Sequence, residues 1–225
     1  MKVAVLLLAA GSGKRFGSDI PKQYLEVAGK PLIIHTLQSL NQSTHVAVVQ
    51  PVIAAGDVWY ADAVANYGWN FELLKPVVGG AERSNSMQRG LAALPDDIDM
   101  IAVHDAARAL PSQALLDDVF KLAEKHGAAV PALPVHDTIK RIAADGKVLE
   151  TPNRSSLVAV QTPQVARRDW FQQALETEKD NLHLHTDDAS VLEAAGFDVY
   201  ISQGDVNNRK VTTPDDMLWL EERLK

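Results

Sequence analysis

The chain has 225 residues, 46% of them apolar, which is enough to bury the core of one large α/β domain that we place at residues 1–225. The net charge of −7 argues against a general nucleic-acid binder, and the absence of cysteine excludes disulfides, thiolate metal sites and cysteine nucleophiles. Met1 and Lys2 lead directly into an apolar segment too short to span a bilayer, so we expect a cytoplasmic protein.

The first predicted element is a buried strand followed by a loop that contains glycine. Val3–Ala9 is short and continuously apolar, which is typical of a strand buried on both faces of a parallel sheet. The residues of the loop are small enough for backbone N–H groups to approach a bound anion, and cations follow it. This pattern predicts a phosphate site that contains Ala10, Gly11, Ser12, Gly13, Lys14, Arg15 and Lys22.

Two familiar glycine motifs do not fit this loop. A Walker A loop needs a glycine five residues before its Gly-Lys pair and Ser or Thr after it, but Leu8 and Arg15 stand at those positions. A dinucleotide-binding fingerprint needs a third glycine where this chain has Phe16. A plain strand-to-loop turn with solvated cations stays open as the alternative.

Strands and helices alternate along most of the remaining chain, which predicts a mostly parallel sheet with helices on both faces. Further strands are predicted at 46–49, 71–78, 100–103, 128–130 and 198–202. Helices are predicted at 32–40, 57–67, 82–94, from a Ser112 cap to about His126, at 168–178, at 187–195 with Thr186 as N-cap, and from Pro214 with Thr213 as N-cap.

Several residues that can meet a ligand come directly after predicted strands: Gly11, Gly80, Asp105 and Arg108. Ligands of such sheets bind beyond the carboxyl ends of the strands, so we expect one cleft to collect these residues. A carboxylate at a strand end is solvated or used, and Mg²⁺ bound to phosphate takes one or two protein carboxylates. Asp105 is therefore a candidate metal ligand, with a turn cap or a pair with Arg108 as the alternative. His104 is expected to be a packed, hydrogen-bonded side chain.

The pattern changes after residue 137. Residues 138–142 and 147–151 resemble strands and flank Asp145-Gly146, which predicts a β-hairpin. A lone hairpin is marginal in water, so this one must lie on something. From the residues alone, it packs on its own domain or serves as an arm that reaches a partner subunit.

A set of motifs that runs through nearly the whole chain resembles the 2-C-methyl-D-erythritol 4-phosphate cytidylyltransferases, which are nucleotidylyltransferases of the non-mevalonate route to isoprenoid precursors. Four residues depart from that pattern. Ala81 stands where some members carry an acidic residue, and Asn207 where some carry Asp. Asp188 replaces a usual Glu, and Arg209 replaces a usual apolar residue. The motifs are 8–16 (LAAGSGKRF), 21–24 (PKQY), 103–108 (VHDAAR), 137–141 (DTIKR), 161–164 (QTPQ), 186–190 (TDDAS) and 208–212 (NRKVT).

The resemblance implies a Rossmann-like three-layer α/β/α fold with a protruding β-arm at 137–156, and a homodimer formed through that arm. It also implies a reaction in which a phosphate oxygen of methylerythritol 4-phosphate attacks the α-phosphorus of CTP, with Mg²⁺ as cofactor and pyrophosphate as leaving group. Pentitol phosphates such as ribitol 5-phosphate are the alternative acceptors. A nucleotide-binding module without catalysis is a more distant alternative.

The resemblance also implies roles for individual residues. Arg15 and Lys22 would stabilise the transition state, and Arg154 and Lys210 join them as catalytic candidates. The loop from Ala10 to Lys14 would cradle the triphosphate, and Gly80 and Ser86 would meet the cytidine. Asp105 would hold Mg²⁺. The methylerythritol phosphate would be surrounded by Asp105, Arg108, Thr162, Thr186 and Lys210, with Thr138 and Arg154 supplied by the partner subunit.

Overall fold

The computed structural model describes residues 1–11, 16–17 and 19–225, and this part of the chain contains thirteen strands and seven α-helices. The strands are β1 (Val3–Ala9), β2 (Glu26–Val27), β3 (Lys30–Pro31), β4 (Val46–Ile53), β5 (Glu72–Leu73), β6 (Val77–Val78), β7 (Met100–Asp105), β8 (Ala128–Pro134), β9 (Arg141–Ile142), β10 (Val148–Glu150), β11 (Val158–Val160), β12 (Gln164–Arg167) and β13 (Tyr200–Gln203). The helices are α1 (Leu32–Leu40), α2 (Tyr60–Val64), α3 (Arg83–Ala92), α4 (Gln113–His126), α5 (Arg168–Thr177), α6 (Asp188–Ala194) and α7 (Pro214–Arg223).

A mixed sheet forms the centre of the fold, with the strand order β11-β8-β12-β7-β1-β4-β5. β1 pairs in parallel with both β4 and β7, and Val5 lies opposite Val49 on one side and Ala102 on the other. β6 extends the β4 edge and β13 pairs in parallel with β8. β12 runs antiparallel between β7 and β8. The predicted mostly parallel sheet is confirmed, with β11 and β12 as its antiparallel members.

The side chains of β1 alternate between two hydrophobic layers. Val3, Val5 and Leu7 face a cluster that contains α1 and α4, whereas Ala4 and Leu6 face one that contains α3, α5 and α6. A strand covered on both sides must be apolar at every position, which explains its continuous apolar run. Helices therefore lie on both faces of the sheet, as the predicted three-layer fold requires.

Several predicted boundaries were wrong. The strand expected at 71–78 is divided into β5 and β6, and Pro76 between them has no N–H to donate to a ladder. The helix expected at 57–67 is shortened to α2. The Asp57 carboxylate lies just before it and accepts from the N–H groups of Trp59 and Tyr60. The N-cap of α6 is Asp187 and not Thr186, because the Asp187 side chain accepts from Ser190 N–H over 3.0 Å.

The predicted hairpin is present as a separate two-stranded sheet of β9 and β10. Gly146 in its turn has φ +86°, a conformation that glycine adopts without strain. Ile142, Val148 and Leu149 are 60%, 52% and 58% exposed, so these three apolar side chains are not covered by the described residues of their own chain.

None of the helices in the described ranges combines the length and the apolar character that a membrane crossing needs.

Candidate active site

A cleft of about 450 Å³ lies at the carboxyl ends of β1 and β7, where the sequence predicts the ligand site. It is bounded by the end of β1, the 22–23 turn, the start of α3, the end of β7 and the segment before α7. The cleft is lined by Leu8, Ala9, Ala10, Gly11, Phe16, Lys22, Gln23, Gly80, Ala81, Glu82, Arg83, Ser86, Asp105, Ala106, Ala107, Lys210 and Thr212.

The loop after β1 contributes one wall of the cleft through Ala10 and Gly11. The next segment is anchored to it, because buried Gln23 donates from Nε2 to the carbonyl of Ala9 over 2.6 Å. Beside it, Lys22 Nζ donates to the carbonyl of Val211 over 2.7 Å, which brings this cation to the cleft. The other loop candidates, Ser12, Gly13, Lys14 and Arg15, lie outside the described residues.

The start of α3 forms the second wall. Glu82 is the N-cap, and a reciprocal capping box joins it to Asn85. Ser86 Oγ accepts from Gly80 N–H over 3.1 Å and donates to the carbonyl of Glu82 over 3.2 Å. A Cβ on Gly80 would lie 2.3 Å from the Cβ of Asn85, so only glycine fits there. Gly80 and Ser86, which were both predicted to meet the cytidine, therefore form one hydrogen-bonded unit.

Asp105 ends β7, and the cations of the site converge on it. Its Oδ1 accepts from Arg83 Nη1, and its Oδ2 lies 2.7 Å from Lys210 Nζ and 3.8 Å from Arg108 Nε. Burial alone would raise the pKa of this carboxyl, but Arg83 and Lys210 outweigh burial and hold the pKa well below its usual range. Asp105 is therefore ionised at neutral pH. The pair with Arg108 is present, but it is longer than those with Arg83 and Lys210.

Arg83 and Asp188 are connected to the cleft through Asp105, but the sequence predictions gave neither residue a role in the site. Arg83 Nε and Nη2 donate to Asp188 Oδ2 over 3.0 and 2.6 Å, while Nη1 reaches Asp105. The side chain of Asp188 is 2% exposed, and burial raises its pKa despite the neighbouring guanidinium. Arg83 and Asp188 are 105 positions apart in the chain, so no local motif connects them.

His104 is a packed side chain, as expected, and its hydrogen bonds fix its tautomer. Nε2 lies 3.1 Å from the carbonyl of Arg108 and can only donate to it, so Nδ1 accepts from Thr162 Oγ1 at 3.0 Å. Burial lowers the pKa of His104 to about 4, so the ring is neutral at physiological pH. Thr162 Oγ1 also accepts from the N–H of Asp105 over 3.2 Å. Thr162 is therefore buried behind Asp105.

Four other predicted substrate residues do not line the cleft. Arg108 is mostly buried beside it and donates from Nη1 to the carbonyl of Asn208 over 2.7 Å. Thr186 is exposed at the start of α6. Thr138 is exposed near the hairpin, and exposed Arg154 donates to the carbonyl of His136. Thr138 and Arg154 are thus not assembled with the cleft of their own chain.

The donor chemistry of the cleft fits a magnesium ion that is brought by a nucleotide. The described residues contain no group of three His, Cys, Asp or Glu side chains that would hold a metal alone. Mg²⁺ bound to phosphates needs only one or two protein carboxylates, and Asp105 supplies one at the edge of the cleft. Both oxygens of Asp105 are paired with cations, Oδ1 with Arg83 and Oδ2 with Lys210, so an incoming Mg²⁺ would compete with one of these cations for the carboxylate.

The family model for 2-C-methyl-D-erythritol 4-phosphate cytidylyltransferase matches residues 3–225. This chain belongs to that family. A member of the same name from Alkaliphilus metalliredigens (strain QYMF) is 38% identical over 219 residues, which cover 96% of this chain and 90% of that protein. The resemblance carried by the sequence motifs is confirmed.

Solved structures of the family share the fold. The 4-diphosphocytidyl-2C-methyl-D-erythritol synthase of Anaerococcus prevotii DSM 20548 superposes with a TM-score of 0.86 at 26% identity, over 99% of this chain and 98% of that one. The 2-C-methyl-D-erythritol 4-phosphate cytidylyltransferase of Thermus thermophilus gives a TM-score of 0.80 at 29% identity, over 100% and 99% of the two chains. The Rossmann-like α/β fold is thus that of the family.

Proposed function

We propose that this chain joins CTP and 2-C-methyl-D-erythritol 4-phosphate to give 4-diphosphocytidyl-2-C-methyl-D-erythritol and pyrophosphate. The observation that carries the proposal is a cleft at the carboxyl ends of β1 and β7 that gathers Lys22, Arg83 and Lys210 in a protein of net charge −7. Cations concentrated at one site of an acidic protein suit a polyanionic small ligand. Membership of the family over residues 3–225 supplies the identity of that ligand.

The chemistry is an in-line displacement at the α-phosphorus of CTP. A phosphate oxygen of the acceptor forms the new P–O bond, and the bond to the β-phosphate breaks with its electrons leaving on pyrophosphate. Negative charge spreads over the phosphoryl oxygens in the transition state, so fixed cations supply most of the catalysis. Lys22 is assigned this role because its ammonium is held at the cleft by the carbonyl of Val211. Arg15, from the same loop region, is assigned the same role from the family pattern.

The first two walls of the cleft are assigned to CTP. The loop from Ala10 to Lys14 follows β1, and small residues there let backbone N–H groups reach phosphate oxygens. At the second wall, Gly80 and Ser86 meet the cytidine through the turn that precedes α3. The turn is packed tightly on the start of α3, because Asn85 leaves no room for a side chain at Gly80.

Mg²⁺ is assigned to Asp105, with the phosphates of CTP as its other main ligands. The ion would neutralise phosphate charge and orient the triphosphate. Lys210 and Arg108 are assigned to the phosphate of the acceptor. Arg108 Nε is buried 3.8 Å from Asp105 Oδ2 and makes no hydrogen bond to the described residues, so its assignment rests on the family pattern.

A homodimer built through the 137–156 arm completes this proposal. The hairpin exposes Ile142, Val148 and Leu149, and a second copy of the chain would cover them. Thr138 and Arg154, which do not line the cleft of their own chain, would then serve the partner's site. Arg154→Ala should impair turnover, and mixing it with Lys22→Ala protein should restore activity in mixed dimers. Verified mixed dimers without recovery would show that each chain completes its own site.

The acceptor is tested by incubating the protein with CTP, Mg²⁺ and one alcohol phosphate at a time, and by identifying the product by mass spectrometry. We expect the cytidine-diphospho adduct of methylerythritol 4-phosphate. Ribitol 5-phosphate is the matched comparison, because it presents a primary phosphate on a similar polyol. Turnover of ribitol 5-phosphate alone would overturn the assignment.

A further inference from the structure

Asp216, on the first turn of α7, is a buried carboxylate with an unusually complete set of donors. Its Oδ2 accepts from the N–H and Oγ1 of Thr212, both at 2.8 Å, and from the N–H and Oγ1 of Thr213, both at 2.9 Å. Its Oδ1 lies 2.6 Å from Arg209 Nη2. Burial opposes ionisation, but the bonds from Thr212 and Thr213 outweigh it and lower the pKa of Asp216 to about 2.

The segment that these bonds hold, residues 209–213, carries groups that face the cleft. Lys210 Nζ lies 2.7 Å from Asp105 Oδ2. The carbonyl of Val211 accepts from Lys22 Nζ over 2.7 Å. Val211 is itself fully buried, and its N–H donates to the carbonyl of Ala107 over 2.8 Å. The position of this short segment therefore sets the position of two cations.

An ordinary helix cap does not account for the whole arrangement. The capping box of α7 needs only Thr213 and Asp216, each accepting from the other's N–H. The further bonds to Thr212 and Arg209 reach residues that precede the helix and lie on either side of Lys210 and Val211. Arg209 is also held from the other side, with its guanidinium carbon 5.6 Å from the centre of the Trp219 ring.

We propose that Asp216 is a positioning residue for the reaction, which fixes the 209–213 segment so that Lys22 and Lys210 meet the phosphates in a single geometry. This inference rests on the proposed function. Asp216 touches no reacting atom, and it acts through the backbone of Thr212 and Thr213. Its effect is expected in the chemical step, because small displacements of a charged group weaken transition-state contacts more than ground-state binding.

Asp216→Asn tests the inference, since it keeps the size of the side chain but replaces one acceptor oxygen by a donor and removes the charge. We expect kcat to fall about 10- to 100-fold, the cost of an ångström-scale misplacement, while KM for CTP changes much less. The matched control is Asp169→Asn, which makes the same change in the first turn of α5. Asp169 follows Arg167, the last residue of β12. Arg167 lies opposite Met100, which begins β7, whereas Asp105 ends that strand, so Asp169 is distant from Asp105 along β7. The kcat of Asp169→Asn should equal that of the wild type.

Wild type, both variants and the fraction of folded protein are measured in parallel. A folded Asp216→Asn protein with the kcat of the wild type would overturn the inference, as would a loss of kcat that only follows the loss of folded protein. A wild type that releases no pyrophosphate from CTP and methylerythritol 4-phosphate would instead overturn the proposed function.

If Asp216→Asn does not fold, Thr213 supplies the second test. Thr213→Ala removes one hydroxyl donor to Asp216, whereas Thr213→Ser keeps it. The alanine variant should lose about tenfold in kcat and the serine variant should retain the wild-type value. Equal kcat in the two variants would overturn the inference.

Discussion

Replacing Arg83 by leucine removes the cation that lies between two buried carboxylates. The side chains of Asp105 and Asp188 are 8% and 2% exposed, and both accept from this guanidinium. Breaking a buried ion pair by removing one partner costs about 3–5 kcal/mol, because a charge is left buried and uncompensated. Asp105 keeps Lys210 at 2.7 Å, so the cost falls mainly on Asp188 and we expect about 3 kcal/mol.

For a chain of this length, a decrease of about 3 kcal/mol in the free energy of unfolding lowers the midpoint of thermal unfolding by roughly 6–12 °C. Circular dichroism at neutral pH measures this shift directly. Arg89→Leu is the matched control, because it removes an exposed guanidinium from the same helix that donates only to the carbonyls of Val78 and Gly79, and it should lower stability by only about 1 kcal/mol. A similar midpoint for the two variants would refute the buried-charge reasoning.

A double variant separates the lost charge from lost packing. If the loss of stability comes from leaving the Asp188 charge buried without a partner, Arg83→Leu/Asp188→Asn should be more stable than Arg83→Leu alone. The coupling free energy should then be about 1–3 kcal/mol. The stability deficit of Arg83→Leu should also shrink as the pH falls, because burial already raises the folded pKa of Asp188, and loss of Arg83 raises it further, so that protonation removes the charge at a higher pH than in the wild type. Additive effects and a deficit independent of pH would contradict this explanation.

The remaining predictions concern the cleft and acid stability. Lys22→Ala should lower kcat about a hundredfold or more with a smaller change in CTP affinity, measured by steady-state kinetics and calorimetry. Gly80→Ala should destabilise the fold by about 1–3 kcal/mol in urea unfolding and weaken CTP binding, because the new Cβ meets Asn85. Asp216 has a folded pKa of about 2, below its unfolded value of about 3.9, so its stabilisation is complete above the unfolded value. The stability advantage of the wild type over Asp216→Asn should therefore disappear as the pH falls from about 4 to about 2.

Each of these predictions has an outcome that contradicts it. An unchanged kcat would remove Lys22 from the chemistry. Wild-type CTP affinity in Gly80→Ala would show that the turn before α3 does not approach the nucleotide. For Asp216, an advantage over Asn that persists below pH about 2 would mean that its hydrogen bonds do not depend on the charge.

The centre of the fold was predictable because its pattern is local. Val3–Ala9 reads as a strand buried on both faces, and the structure places it between β4 and β7. The same reasoning placed Asp105 after a strand, and the end of β7 is where the cleft lies. Some short strands without a turn signal beside them were not predictable in this way. β11 and β12 have three and four residues and were missed, since their pairing depends on β7 and β8 and not on a long apolar run.

The contacts that organise the site were the least predictable part. Arg83 and Asp188 are separated by 105 positions, and Lys22 meets the carbonyl of Val211 across 189 positions. Such pairs form because the sheet brings distant strand ends to one edge, and a residue pattern of one segment carries no information about them. Residue type and strand-end position could place Asp105 at the ligand cleft, but only the structure shows which cations hold it ionised.

The most direct test of the proposed reaction is the release of pyrophosphate by the wild-type protein with Mg²⁺, CTP and methylerythritol 4-phosphate, each omitted in turn. We predict release only when all three are present, because the proposed reaction takes the acceptor phosphate as nucleophile and needs Mg²⁺ and the cations of the cleft to neutralise the triphosphate. Release without methylerythritol 4-phosphate, or no release while CTP still raises the midpoint of thermal unfolding, would contradict the proposed reaction.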